Sequence, residues 1–128
     1  MTLTKHLAAA IGLGTILIGS AGAAPASRHD GTWSVRMVTD SGTCDSSDTY
    51  SIAVENGSVR YIPAPGSSPA VVSGRIGPDG TVDLDIRRSI AKADASGRLN
   101  GKAGSGTWQL AMLGCSGRWT AQKHSNNA

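Results

Sequence analysis

Apolar and polar residues alternate one by one in a series of short rows along this chain, and a period of two is that of half-buried strands. Trp33, Val35 and Met37 alternate with Thr32, Ser34 and Arg36. Tyr50, Ile52 and Val54 form a second row, Val59 and Tyr61 a third, and Val72 with Ile76 a fourth. Val82, Leu84 and Ile86 follow, then Trp108, Leu110 and Met112, with weaker rows around Ile90 and Leu99 and a last strand from Gly117 to Lys123. Past the first two dozen residues no stretch repeats apolar residues at i, i+3, i+4 and i+7, and 17 glycines weigh against long helices.

Tight-turn chemistry separates these rows. Glu55-Asn56-Gly57-Ser58, Gly77-Pro78-Asp79-Gly80 and Asp94-Ala95-Ser96-Gly97 all read as hairpin turns, because Asn-Gly and Asp-Gly tolerate the positive φ that tight hairpin loops need. Sequential strands are therefore antiparallel. Pro63 to Pro69 predicts an irregular loop, since proline cannot donate to a central ladder, and Thr39 to Thr49 predicts a second long one. Eight or nine short strands result. A meander of that many strands has two exposed edges unless it closes, so the predicted fold is a small antiparallel meander barrel of about eight strands, with a two-sheet β-sandwich as the alternative.

A repeated tripeptide favours closure. Gly31-Thr32-Trp33 opens the first strand, Gly106-Thr107-Trp108 lies in the penultimate one and Gly117-Arg118-Trp119 in the last. Pairing of the first and last strands would gather Trp33, Trp108 and Trp119 in one region as core anchors or ligand contacts. With no Phe in the chain, these three and two Tyr supply most of the bulky packing.

The N-terminus carries a different signal. Lys5 and His6 precede a 12-residue apolar run from Leu7 to Ile18, followed by small residues from Gly19 to Ala26. That is the layout of a signal peptide cut after Ala23 or Ala26, and the run is well short of the ~20 residues of a membrane-spanning helix. Residues 1–26 are thus read as a leader and 27–128 as a single β domain, periplasmic or secreted, with no permanent membrane span. The two cysteines, Cys44 and Cys115, both fall in the exported part, where an even pair is most simply a disulfide.

The remaining chemistry is sparse. Without Lys5, eleven basic residues face nine acidic ones, scattered and interleaved, which argues against a nucleic-acid partner. Asp83 and Asp85 share one face of a strand but read as a solvated row opposite Val82, Leu84 and Ile86. Asp40, Asp45 and Asp48 around Cys44 lack the spacing of a calcium loop. His29 and His124 sit near the two ends of the exported chain, in segments expected to be mobile, unsuited to a hydrolytic triad. No catalytic residue, metal site or cofactor is assigned, and the chain is read as no enzyme.

Gly31-x-Trp33 at the start of a meander barrel, with a basic residue on the final strand, resembles the signature of the lipocalin and avidin group of barrels. That resemblance implies a Trp at the barrel floor covered by the basic side chain, with Arg118 the nearest candidate for the cover. It carries no ligand identity. In length, leader and cysteine pair the chain is similar to bacterial periplasmic inhibitors of metalloproteases and lysozymes. The Gly-Thr-Trp and Cys-Ser-Gly-Arg-Trp-Thr segments resemble short, Gly-rich exported proteins of alphaproteobacteria with no assigned function.

Three functions suit these features. The leading expectation is a noncatalytic binding module whose two long loops contact a protein partner, an enzyme it inhibits being one case. The second is a carrier of a small apolar ligand, because Ala70, Gly74, Ala91, Ala93, Gly101, Ala103 and Gly117 are small residues at expected inward positions and would leave a cavity. The third is a structural component of the envelope or exoproteome.

Overall fold

A computed structural model describes Gly12, Gly14 and residues 26–128 of the chain. The leader reading otherwise lies outside the described residues. A single turn of 3-10 helix over Ala26–His29 leads into eight strands: β1 (Gly31–Ser41), β2 (Ser47–Glu55), β3 (Ser58–Ile62), β4 (Val71–Ile76), β5 (Thr81–Arg88), β6 (Ala91–Asn100), β7 (Ala103–Leu110) and β8 (Cys115–Ser125). A second 3-10 turn, Ala111–Leu113, joins β7 to β8. Among the described residues no helix is long and apolar enough to cross a membrane.

All neighbouring strands are antiparallel in one sheet of order β3-β2-β1-β8-β7-β6-β5-β4. The first and last strands pair over most of their length, from Thr32 with Ser125 to Ser41 with Ser116. The sheet curls until its edges β3 and β4 meet, where the Ile76 N–H donates to the Gly57 carbonyl (2.9 Å). The result is a nearly closed meander barrel and not a sandwich. Its seam lies between two consecutive strands, because β3 has only five residues and the Pro63–Pro69 segment that follows it withholds donors from any longer ladder.

Local signals account for most hairpins. Asn56 (φ 50°) and Gly57 (φ 83°) take the two left-handed positions of the β2–β3 turn. In the β4–β5 turn the Asp79 carboxylate accepts from the N–H (3.0 Å) and hydroxyl (2.9 Å) of Thr81. The predicted Asp94–Gly97 turn is wrong: those residues lie inside β6, paired on one side with β5 and on the other with β7. The real turn is Ser89–Ile90, so Ile90 is a loop tip rather than part of a row. The Thr39–Thr49 loop is also shorter than expected, since β1 runs to Ser41 and β2 begins at Ser47.

Glycine inside the strands makes room for tryptophan. Trp119 is the Cα partner of Gly106, which is in turn the partner of Gly97, and the Trp119 indole lies across both. A Cβ at either glycine would come within 2.6–2.7 Å of that ring. Trp108 lies reciprocally against its own partner Gly117, where a Cβ would stand 2.9 Å from the indole nitrogen. The repeated Gly-x-Trp is thus a mutual clasp between β7 and β8. Each indole also crosses to a further strand: Trp119 Nε1 donates to the Ser96 carbonyl (3.0 Å), and Trp108 Nε1 to those of Val38 (3.1 Å) and Arg118 (3.2 Å).

Candidate functional site: an apolar cup

Burial along the strands is graded, and the gradient defines a cup. At one end Trp33, Val54, Ile76, Val82 and Leu99 are buried and close a floor. Toward the other end the inward residues Met37, Tyr50, Ile86, Arg88 and Leu110 are only half-buried. Between them lies a cavity of ≈ 280 Å³ that opens at this mouth. Its wall is almost wholly apolar, built by Val35, Ile52, Val72, Leu84, Trp108 and Trp119 among others.

Small residues create the space. Ala70, Ala91, Ala93, Ala95 and Ala121 line the cavity, and Gly74 and Gly117 also belong to the inward rows. Gly101 and Ala103 do not, because the first is an exposed turn residue and the second faces out. Ala91, Ala93 and Ala95 follow one another along β6, so this strand presents no side chain beyond Cβ to the cavity until Leu99 at the floor. The neighbouring strands carry large residues, Leu84 and Ile86 on β5 and Trp108 and Leu110 on β7, as do β1 and β2 with Val35, Met37, Tyr50 and Ile52. Ala91 and Ala93 are legible as inward small residues in the sequence, and the assumed Asp94 turn hides only the third, Ala95.

The floor is plugged from below. The 3-10 turn at Ala26–His29 tucks His29 under the barrel, 4 % exposed, with Nε2 3.3 Å from the Pro78 carbonyl and Nδ1 without a partner among the described residues. The expectation of a mobile His29 is therefore corrected, while His124 is exposed on the outer face of β8. Trp33 Nε1 donates to the His29 carbonyl (3.0 Å), and the Asn56 N–H donates to the Asp30 carboxylate (2.7 Å). These bonds tie plug, floor and the β2–β3 turn together.

A basic side chain does cover Trp33, but it is Lys123, whose ammonium stands 5.5 Å from the ring centroid. Lys123 is the Cα partner of Trp33 in the β1–β8 ladder. Arg118, the residue expected there, points outward near the mouth. It forms a two-point pair with Asp40 through Nε (2.9 Å) and Nη2 (3.0 Å), which lowers the Asp40 pKa and raises its own. Strand parity explains the error: Arg118 is one residue from Trp119 and must face the other way.

The mouth holds the polar groups. Arg88 lies over both Tyr50 (5.7 Å) and Tyr61 (5.8 Å), and its Nη2 donates to the Tyr61 hydroxyl (3.4 Å). The two rings meet edge to face at 6.2 Å. Tyr50 donates to Asp48 (3.3 Å), and burial, followed by the Asp48 charge, raises the Tyr50 pKa above its ordinary value. Cys44 and Cys115 are disulfide-bonded, with Cα atoms 6.1 Å apart, which anchors the β1–β2 loop to the start of β8. A disulfide of this kind points to an oxidising or non-cytoplasmic compartment.

The rim itself is apolar on one arc. Val71, Ile90, Met112 and Leu113 are the exposed large hydrophobic residues among those described, and all four stand at the mouth end of β4, the β5–β6 turn and the β7–β8 turn. Met112, expected to continue the Trp108 row, lies in the second 3-10 turn instead. Beside them Arg87 and Lys92 are direct cross-strand partners, two like charges side by side.

Fold and site together define a small meander barrel with an open apolar interior. No protein-family model matches the chain, and a search of curated proteins returns no relative.

Proposed function

We propose that this protein is a noncatalytic carrier that holds a small apolar ligand inside its barrel, exported to the periplasm or the exterior. The observation that carries this reading is the cavity of ≈ 280 Å³ with an apolar wall and an open mouth. An engineered apolar cavity of ~150 Å³ stays dry and takes up benzene, so this space suits a ligand of about a dozen non-hydrogen atoms. A structural protein would gain stability by filling it, because an empty apolar cavity forfeits dispersion contacts along its whole wall. Small alanines along β6 keep it open instead. Export is supported by the leader-like N-terminus and by the disulfide.

The test is native mass spectrometry of protein purified from its host without organic solvent. A retained small molecule, lost on denaturation, is the expected result and gives the ligand's mass. Failure to bind any of a series of alkanes, alcohols and acids of about ten carbons would overturn the reading.

A second reading, contact with a protein partner through the mouth loops, draws on the exposed arc of Val71, Ile90, Met112 and Leu113. Its partner would present an apolar surface with acidic groups facing Arg87 and Lys92. Ile90→Asp with Leu113→Asp would then abolish capture of that partner, whereas substitutions in the exposed Asn100–Lys102 turn at the floor would not.

A further inference from the structure

The mouth of the cup contains a cation that the protein leaves largely unmatched. Arg88 ends the inward row Val82, Leu84, Ile86, Arg88 of β5 and is half-buried, whereas its neighbour Arg87 is exposed on the outer face. Its guanidinium bridges the seam, from β5 across β4 to Tyr61 on β3 and Tyr50 on β2. A guanidinium has five donors and stays charged at any physiological pH. Among the described residues only one donor is used, in the long bond to the Tyr61 hydroxyl. The ion pairs among the described residues are Arg98 with Asp79 and Arg118 with Asp40, so Arg88 has none.

From this geometry we infer that Arg88, with Tyr61 and Tyr50 beside it, is the head-group site for an anionic amphiphile. A single alkyl chain lies down the cup toward Trp33, and a carboxylate at the mouth pairs with the guanidinium. The inference rests on the carrier reading and names the ligand class. A half-buried cation facing an apolar space is costly without a counter-charge, and a carboxylate matches the guanidinium fork with two parallel hydrogen bonds. The tyrosine rings hold the guanidinium in place from one side and leave its remaining donors for the ligand.

Asp45 and Asp48 also line the mouth and would repel an anion. Burial decides between the two signs. Both carboxylates are exposed, so water and salt screen them, and Asp48 already accepts from Tyr50. Arg88 is set deeper, over an apolar wall, where a charge acts with less screening.

The experiment compares decanoate, decanol and decylamine by titration calorimetry on the delipidated exported domain at pH 7.5, using native protein and Arg88→Met. Native protein is expected to bind decanoate about tenfold or more tightly than decanol, the range of a charge-assisted pair. Arg88→Met should bind decanol as before and lose the decanoate advantage. Because Met could perturb the seam, a second measurement uses native protein alone: the Arg88 Nε–H resonance shifts with decanoate and not with decanol. Equal affinity for all three ligands would overturn the head-group site and leave the carrier reading standing. Preference for decylamine would assign the mouth to Asp45 and Asp48 instead and also overturn it. Binding of none would remove both readings.

Discussion

At the scale of single residues, glycine and tryptophan share one packing problem. Gly97 and Gly106 lie beneath the Trp119 indole, with their backbones against each other in the β6–β7 ladder. A methyl group at Gly106 has neither the indole nor the neighbouring strand free to move aside. Gly106→Ala is therefore expected to destabilise the fold by about 1–3 kcal/mol, the usual cost of overpacking, read from urea denaturation followed by Trp fluorescence. Gly66, which has open space around its Cβ position, marks the contrast, although its positive φ (81°) favours glycine for another reason.

Charge at this scale is legible through register. Asp85 and Asp94 are direct cross-strand partners on the outer face, and Asp94 has its pKa raised, first by a side-chain hydrogen bond with Asp85 and then by burial and the charge of Asp85. A carboxyl whose pKa is higher folded than unfolded favours the fold when protonated, and that contribution disappears as pH rises through the folded pKa. Asp94→Asn should accordingly raise the Tm slightly at pH 7 and leave it unchanged at pH 3, where the native Asp94 is already protonated. A larger gain at pH 3 than at pH 7 would contradict the pairing.

At the scale of elements, the sheet is strong in its middle and weak at its seam. β1 and β8 are long, buried on the inner face and paired on both sides, whereas β3 and β4 are short and meet through the Ile76–Gly57 bond at the floor, the Arg75 contact with the Asn56 carbonyl (3.3 Å) and the Arg88 bridge above. Backbone hydrogen exchange should follow this order, with amides of β4 exchanging well before those of β1, β7 and β8. Uniform protection around the barrel would instead mean a closed ladder at β3–β4.

Considered as a whole, the molecule combines a small core with an open interior, so two additions matter more than usual. The disulfide spans 71 residues, and a chain-entropy estimate makes it worth roughly 4 kcal/mol. Replacing both Cys44 and Cys115 by Ser should lower the stability by about that amount, with the midpoint in urea as the readout. On the proposed carrier function a ligand in the cup would stabilise in turn: at a hundredfold excess over its Kd the expected gain is about 2.7 kcal/mol, seen as a Tm that rises with ligand concentration. Ligand should restore part of the stability that the disulfide-free variant loses, because both act on the same folding equilibrium.

The all-β class, the antiparallel meander and the Cys44–Cys115 pairing were readable without coordinates, since each follows from local facts: alternation, turn residues and an even cysteine count. Trp33, Trp108 and Trp119 could be marked as core for the same reason. The location of the seam, the continuation of the inward alanines Ala91 and Ala93 to Ala95, the exchange of Lys123 for Arg118 over Trp33, and the position of Arg88 between two tyrosines could not. These depend on which strands become neighbours and on a parity that a single misplaced turn inverts. Alternation specifies that a strand has two faces, but only the curled sheet decides which of them surrounds a cavity.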